Sequence, residues 1–215
     1  MIGARTAGFL VTWAAAATVS GEMAMHAMSA IEQAYRTGKA AGEAGDDRGA
    51  RASYQRGVAL ARAALAKDPD DRDALLWLPA NLASEALVRG KLHALGIIPE
   101  VEATLLRLER IAPQYDHAAA ARALANLYWK APAIISVGSS TKAARYFALA
   151  LARDGAYPGN QAHASAFYAD RDDCGRARPL AEAVARRADL DAFGPDAAEW
   201  RQLARHVLRA CEGEP

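Results

Sequence analysis

Residues 50–71, ARASYQRGVALARAALAKDPDD, show in one stretch how this chain is built. Apolar side chains recur there at steps of three and four, which places them on one face of a helix. These residues are Tyr54, Val58, Ala61 and Leu65. Asp68-Pro69 stops the helix, and the aspartates that follow are suitable N-caps for another. The stretch therefore predicts one amphipathic helix that turns directly into a second.

The same kind of turn returns along the chain, at Lys67-Asp68-Pro69, at Ile111-Ala112-Pro113 and at 155–158. The spacing is about 44 residues, which holds one helical hairpin and is typical of stacked helix pairs. One hairpin alone leaves its apolar face in water, so several must stack. The sequence predicts an all-α fold over residues 50–212, an α–α superhelix of stacked hairpins like that of tetratricopeptide (TPR) repeats.

Residues 1–21, MIGARTAGFLVTWAAAATVSG, have the layout of a secretory signal peptide. Arg5 precedes a charge-free apolar stretch, and small residues follow at Val19-Ser20-Gly21, where signal peptidase would cut. The stretch is shorter than the roughly 20 apolar residues that span a membrane. We therefore expect export to the periplasm; the alternative is a buried, alanine-rich first helix. No cysteine follows the stretch, so we expect no lipid anchor.

Residues 22–49 predict an N-terminal helix and a flexible turn ahead of the repeat domain. Met28, Ile31 and Tyr35 recur at helical spacing. The turn is expected over residues 38–49, GKAAGEAGDDRG, because this stretch holds four glycines and a charge cluster.

The net charge and the cysteine spacing argue against a nucleic-acid-binding protein and against a metal site. A formal net charge of +1 gives no electrostatic case for nucleic acid. Cys174 and Cys211 lie in no metal-binding pattern. After export to an oxidising compartment they are candidates for a disulfide; otherwise they are two free thiols.

No motif in the sequence predicts catalysis, a cofactor or a metal. Nucleophile elbows, phosphate-binding loops and dinucleotide fingerprints are absent, and the five histidines are scattered. The aspartates of 68–73 lack the glycine and the later glutamate of a calcium loop, so helix capping explains them better. Residues 138–141, Gly-Ser-Ser-Thr, precede a helix and suit either an anion or a plain capped loop. We predict that the protein is not an enzyme.

Aromatic and polar residues near helix ends are the candidates for ligand binding. An apolar wall with a few polar groups suits a small organic molecule, although most such residues in a repeat protein belong to its core. The candidates are Trp77, Asn81, Arg122, Asn126, Tyr128 and Trp129. Arg122 is the strongest, because a guanidinium holds a carboxylate through two hydrogen bonds.

An ordered set of segments over residues 50–170 resembles a known family. The set runs from ALLWLPANLASEALVRGKLHALGIIPEVEATLLRLERIAPQYD through ARALANLYWKAP and SVGSSTKAARYFALAL to NQAHASAFYAD. It is similar to the TatT family, the periplasmic T components associated with TRAP (tripartite, ATP-independent, periplasmic) transporters. Its landmarks are Leu76-Trp77-Leu78, Arg122 ahead of Tyr128, Ala131-Pro132 and the Gly/Ser loop that follows.

The resemblance implies a non-enzymatic helical-repeat protein with a central pore or cleft. It further implies homotrimers, association with the transporter's substrate-binding subunit, and small apolar or organic-acid ligands. This chain departs from the family in three places. It lacks the anchored N-terminal cysteine, it has Ala118–Ala121 where the family tends to have a Gly-Gly pair, and it has Pro79 within a helix.

We therefore expect a periplasmic accessory protein of a TRAP-type uptake system, which binds a small organic ligand or docks a substrate-binding subunit. The alternative is a general TPR scaffold that mediates protein–protein interactions in the periplasm. An enzyme is the third hypothesis, and no pairing of nucleophile with base or of two carboxylates in the sequence supports it.

Overall fold

The computed structural model describes residues 28–212, and every regular element within this range is a helix. A short 3-10 helix at Leu190–Phe193 precedes the last one. The α-helices are α1 (Ala30–Glu43), α2 (Asp47–Lys67), α3 (Arg72–Arg89), α4 (Lys91–Ile111), α5 (Tyr115–Lys130), α6 (Ser140–Arg153), α7 (Pro158–Ala169), α8 (Cys174–Ala185) and α9 (Ala197–Ala210). The predicted leader, residues 1–21, lies outside the described residues.

Consecutive helices pair as hairpins that stack in chain order. The pairs are α1 with α2, α3 with α4, α5 with α6 and α7 with α8, and α9 packs against both helices of the last pair. Each hairpin also contacts the next, through α2 and α3, α4 and α5, and α6 and α7. The predicted all-α, TPR-like stack of helical hairpins is confirmed.

Side-chain caps start several of the helices where the sequence predicts turns. Asp71 accepts a hydrogen bond from the backbone N–H of Ala74 at 3.0 Å, and Asp68 accepts one from Asp70 at 3.0 Å. Ser139 caps α6 through the N–H of Lys142 at 3.2 Å. The bonds of Asp71 and Ser139 satisfy backbone donors that a helix start leaves free, whereas the bond of Asp68 orders the turn between α2 and α3. Asp71 and Ser139 thus serve as helix N-caps.

The turn predicted over residues 38–49 is shorter in the structure. Helix α1 continues to Glu43, and α2 already begins at Asp47. Gly38 is buried within α1, where an added Cβ would lie 2.5 Å from Cε1 of Tyr54. The glycine is therefore a close-contact point between α1 and α2, and it does not break the helix. As a consequence α1 belongs to the first hairpin and is not a separate N-terminal segment.

Alanines and a few large side chains fill the space between the layers. Phe147 and Phe167 are buried with ring centroids 5.1 Å apart, which joins α6 to α7. Trp200 of α9 packs edge-on against Tyr157 at 5.3 Å. The first residue of α8, Cys174, is bonded to Cys211, which follows α9, with their Cα atoms 5.6 Å apart. The end of the stack is thus closed covalently.

Among residues 28–212, no helix combines the length and the apolar character that crossing a membrane requires.

Candidate functional site

The odd-numbered helices form the inner side of the curved stack. Helix α1 packs against α3, α3 touches α5, α5 packs against α7, and α7 packs against α9. In the described part of the chain, successive even-numbered helices have at most marginal contact with each other. The stack therefore curves around its odd-numbered helices. We call the side chains gathered there the inner face: Tyr35, Arg36, Lys39, Trp77, Arg122, Tyr157, His163, Asp196 and Glu199.

Ion pairs join the first helix to the last across the inner face. Nζ of Lys39 lies 2.7 Å from Oε2 of Glu199 and 3.6 Å from Oδ1 of Asp196. Arg36 lies 3.4 Å from Asp196 and 2.7 Å from Glu32. All five side chains keep part of their surface in water. The two ends of the polypeptide stack, 160 residues apart in sequence, thus meet on the inner face.

Aromatic rings line the same face between the charges. The ring of Trp77 on α3 lies 5.3 Å from that of Tyr35 on α1, and the guanidinium of Arg36 stands 5.8 Å from the Trp77 ring centre. Burial raises the pKa of Tyr35, so its hydroxyl stays protonated and able to donate a hydrogen bond. This part of the inner face combines apolar surface with polar edges.

Arg122 of α5 is held in place by one of its nitrogens. Nη1 donates to Oδ1 of Asn160 at 2.8 Å and to the backbone oxygen of His117 at 3.3 Å. The guanidinium stacks over Tyr157, 5.1 Å from its ring centre. Nε and Nη2 make no hydrogen bond within the described residues, and Asp116 lies only loosely near Nη2, at 3.9 Å. The orientation of Arg122 is fixed, while part of its donor set is available.

A left-handed turn in the backbone at residues 116–118 supports the side chain of Arg122. Asp116, His117 and Ala118 have φ values of 45°, 56° and 60°, a conformation that costs non-glycine residues about 1–2 kcal/mol each. Hydrogen bonds offset this cost, because the His117 carbonyl accepts from Arg122 and also from Asn160, at 3.0 Å. The His117 ring stacks on Tyr157 with centroids 4.0 Å apart. The strain lies directly beside the inner face.

His163 of α7 is crowded by protein but retains contact with solvent. Burial lowers its pKa to about 4, and the nearby Arg122 charge acts in the same direction, against Glu199 and Asp196. The imidazole is therefore neutral near pH 7. Neither ring nitrogen is hydrogen-bonded within residues 28–212. A neutral imidazole offers one donor and one acceptor to a bound molecule.

The inner face has the chemistry of binding. Within the part of the chain that the structure describes, it offers aromatic walls, guanidinium donors that make no hydrogen bond and a neutral imidazole without a hydrogen-bond partner. Burial raises the pKa of Tyr157 to about 12, so this hydroxyl also stays protonated. No group of three or more His, Cys, Asp or Glu residues in the described range is placed to hold a metal ion.

The structure divides the six predicted ligand residues among several places. Trp77 and Arg122 lie on the inner face, and Asn126 donates to the backbone oxygen of Arg122 at 2.9 Å. Asn81 is fully buried and bonds the backbone oxygens of Trp77 and Ile31, at 2.8 and 3.4 Å. It therefore fastens α3 to α1 and is not a lining residue.

The last two predicted residues lie between helices. The hydroxyl of Tyr128 donates to Glu102 of α4 at 2.7 Å. The indole nitrogen of Trp129 donates to Asp170 at 2.7 Å, and its ring meets Phe147 and Phe167 edge-on. Both side chains hold α5 against its neighbours, so the structure does not bring all six residues together.

Most residues of the inner face carry no signal in the sequence that predicts their position. Tyr35 and Lys39 sit one helical turn apart on α1, but nothing in the sequence says that they face Glu199 on α9. His163 has no second histidine at metal-ligand spacing, so the sequence gives it no role. The useful signal is architectural, since polar and aromatic residues of the odd-numbered helices turn inward once the hairpins stack.

Solved structures include chains that are similar to this one. No protein-family model and no curated protein matches the chain. It is similar to a crystal structure of the MamA protein, at 16% sequence identity and a TM-score of 0.41, over 84% of this chain and 87% of that chain. The helices described above make the protein a helical-repeat scaffold, an architecture suited in general to protein interaction.

Proposed function

We propose that this protein is an exported, non-enzymatic accessory protein of a TRAP-type uptake system and that its inner face binds a small organic acid. The observation that supports it best is the arrangement around Arg122, whose side chain is fixed by Asn160 while Nε and Nη2 form no hydrogen bond with any described residue. A carboxylate accepts from two such donors in one plane. Trp77 and Tyr157 supply apolar surface for the rest of the ligand.

The neutral His163 extends this site. A charged imidazole near Arg122 and Lys39 would add a third cation, whereas the neutral ring adds a hydrogen-bonding group. A ligand with an acid at one end and a hydroxyl or carbonyl further along matches this order of groups.

Two observations support export. The leader pattern of residues 1–21 is the first. The second is the bond between Cys174 and Cys211, since structural disulfides persist in oxidising compartments such as the periplasm. The proposed link to TRAP transport rests on the resemblance of residues 50–170 to the TatT family.

The proposal that the protein is not an enzyme rests on the inner face itself. Its carboxylates are paired with cations, as Glu199 is with Lys39 and Asp196 is with Arg36. The available groups, an arginine and a neutral histidine, bind and orient but lack an adjacent nucleophile in the described range.

Titration calorimetry with linear monocarboxylates and with the matching primary amides tests the ligand class. We expect acids to bind and amides to bind much more weakly. Arg122→Lys keeps the charge but loses the planar fork, and we expect about tenfold weaker binding of acids. Arg110→Ala, an exposed arginine on α4, is the matched control and should bind as the wild type does. Equal affinity for acids and amides, or an unchanged Arg122→Lys variant, would contradict the proposal.

Docking of a substrate-binding subunit is the second candidate, and a cleft between α2 and α3 favours it. Arg48, Arg51, Gln55 and Arg89 line this cleft, whose volume is about 540 Å³. Arginine-rich surfaces are common at protein interfaces. A gene for this chain beside TRAP subunit genes, together with co-purification of the neighbouring substrate-binding subunit, supports docking. Co-purification that survives Arg48→Ala/Arg89→Ala unchanged would argue against this cleft as the interface.

A further inference from the structure

One edge of the stack displays large apolar side chains in water. The helices alternate in direction, so the turns that end the odd-numbered helices lie along the same edge. At the turn between α3 and α4, Leu87 is 63% and Leu92 86% exposed. At the loop between α5 and α6, Ile134 is 97% and Ile135 68% exposed. These four residues, which we call the apolar edge, belong to adjacent hairpins in the middle of the stack.

The loop that carries the isoleucines is anchored at its base. The N–H of Ser139 donates to the backbone oxygen of Tyr128 at 2.8 Å, which closes the loop over residues 131–139. An added Cβ at Gly138 would lie 2.1 Å from the backbone oxygen of Ala131, so the two ends of the loop pack directly on each other. Val137 turns back and packs against the core. The tip with Ile134 and Ile135 is therefore held away from the protein.

Basic residues accompany the apolar edge. From His117 to Arg153 the sequence has no Asp or Glu, and from 86 to 99 it has none either. Lys130 and Arg145 form no ion pair within the described residues, and the Lys130 ammonium lies 3.1 Å from the ring centre of Trp129. Lys142 and Arg89 reach only loosely toward Glu102 and Glu85, both at 3.7 Å.

The first and last turns along the same edge carry acidic residues instead. Asp46 and Asp47 lie in the first, and Asp170, Asp172 and Asp173 lie in the last. Positive charge and exposed apolar side chains are thus combined only at the two central turns among those that the structure describes. This combination is complementary to an anionic surface with an apolar layer beneath it, which describes a phospholipid bilayer.

We propose that the apolar edge is a membrane-binding edge, at which Ile134 and Ile135 enter the headgroup region while Lys130, Arg145 and their neighbours contact anionic phosphates. Side chains that project from loop tips suit a fluid bilayer, which accepts any protruding shape, whereas a folded partner needs a matching groove. The apolar stem and charged head of a lysine beside a tryptophan also suit the interface between water and lipid. The inference is independent of the ligand proposed for the inner face.

Co-sedimentation with lipid vesicles tests this proposal. The full chain is mixed with vesicles of phosphatidylcholine alone and with vesicles that also contain phosphatidylglycerol. We expect binding to the mixed vesicles, weaker binding to phosphatidylcholine alone, and loss of binding as salt is raised. Ile134→Ser/Ile135→Ser should lower the partition coefficient about tenfold, because two apolar side chains no longer enter the interface.

Leu106→Ser is the matched control, since Leu106 is exposed on α4 away from the apolar edge, and we expect it to bind as the wild type does. All variants retain residues 1–27, so any contribution of that stretch is the same in each. The serine substitutions lie at a solvated loop tip, and circular dichroism checks that the fold is kept. The proposal would be overturned if the wild type did not bind the mixed vesicles, or if the double serine variant bound them as well as the wild type does. A double variant that instead changes the oligomer mass in light scattering would assign the edge to a second copy of the chain and overturn it as well.

Discussion

Nζ of Lys39 on the first helix lies 2.7 Å from Oε2 of Glu199 on the last helix. This contact, with the neighbouring pair of Arg36 and Asp196, turns a stack of hairpins into a closed curve. The ends of a repeat array are usually free, because each repeat contacts only its neighbours. In this chain the two ends of the array contact each other, and charged residues from both ends lie on the inner face.

Charge reversal tests whether this contact stabilises the fold. We expect Lys39→Glu and Glu199→Lys each to lower the free energy of unfolding by about 1 kcal/mol, since each removes a partly exposed pair and adds repulsion. The double variant should recover most of the loss. Urea unfolding of the four proteins measures the coupling.

The pair formed by Arg186 and Glu182 is the control, because Glu182 lies on α8, Arg186 is the C-cap of the same helix, and the pair is exposed. Its coupling should be about 0.3–0.5 kcal/mol, as for other pairs one turn apart. Additive effects of Lys39→Glu and Glu199→Lys would show that α1 and α9 do not meet in solution.

Gly57 and Gly96 make a matched pair of helical glycines. A Cβ at Gly57 would lie 2.1 Å from Oδ1 of the buried Asn81, whereas a Cβ at Gly96 meets nothing within 4 Å. We expect Gly57→Ala to destabilise by about 2–3 kcal/mol through overpacking. Gly96→Ala should stabilise by about 0.5–1 kcal/mol, the helix propensity gain. Thermal unfolding of the two variants decides this, and a stabilised Gly57→Ala would show that α2 and α3 are not packed as described.

The sequence predicted the helices and their stacking, because periodicity and turn residues are local signals. It misjudged Gly38, since a glycine that ends a helix and one that admits a neighbouring tyrosine ring look alike in one dimension. Pro99 is a second example, because a proline ring suits the first turn of a helix, yet α4 begins earlier, at Lys91, and contains the proline. Such errors arise where tertiary contacts override a local preference.

The residues of the candidate site were harder to predict from the sequence than the helices were, for a different reason. Arg122 was identified from its chemistry alone, but its partner Asn160 lies 38 residues away. Tyr128 and Trp129 have the same residue types as a ligand-binding wall, and only their bonds to Glu102 and Asp170 show that they join helices. Which aromatic residues face inward depends on how the hairpins curve, and a single sequence does not encode this in any local pattern.

The bond between Cys174 and Cys211 should contribute measurably to stability. It closes a loop with a sequence separation of 37, for which chain entropy gives about 3–4 kcal/mol. Urea unfolding of the wild type and of Cys174→Ser/Cys211→Ser measures the difference. Titration of free thiols in denatured, unreduced protein should find none, and two free thiols would contradict the bond.

Trp200 anchors α9, being 5% exposed and packed edge-on against Tyr157. We expect Trp200→Ala to destabilise by about 3–5 kcal/mol, the usual cost of removing a large buried aromatic side chain. Leu106→Ala, on the exposed side of α4, should change stability by less than about 0.5 kcal/mol. A Trp200→Ala variant as stable as the control would show that the last helix is not docked.

His163 should make the protein sensitive to acid. Its pKa is lowered to about 4 in the folded state, while the unfolded chain titrates near 6.5. The unfolded state therefore binds the proton more readily, so stability is full above pH 6.5 and is lost as the pH falls toward 4. We expect the free energy of unfolding to fall by about 1–2 kcal/mol. This is less than for a fully buried ring, because His163 keeps some solvent contact.

The variant His163→Gln lacks this titrating group. Urea unfolding of the wild type and the variant at pH 7 and pH 4.5 measures how much of the pH dependence of stability comes from His163. The wild type should lose more stability between these pH values than the variant does, with Asp196, Glu199 and the other nearby carboxylates common to both. Equal losses would mean that His163 titrates normally and lies outside a crowded inner face.

The distance between the two ends of the stack tests the closed arrangement most directly. Nitroxide labels at Thr37→Cys on α1 and Gln202→Cys on α9 report it by pulsed electron spin resonance, with Cys174 and Cys211 protected by their own bond. Helices pack about 8–10 Å apart, so a closed stack should place the labels less than about 25 Å from each other. An open stack of four hairpins would separate them by about 40 Å, and a distance in that range would contradict the inner face on which the proposed function depends.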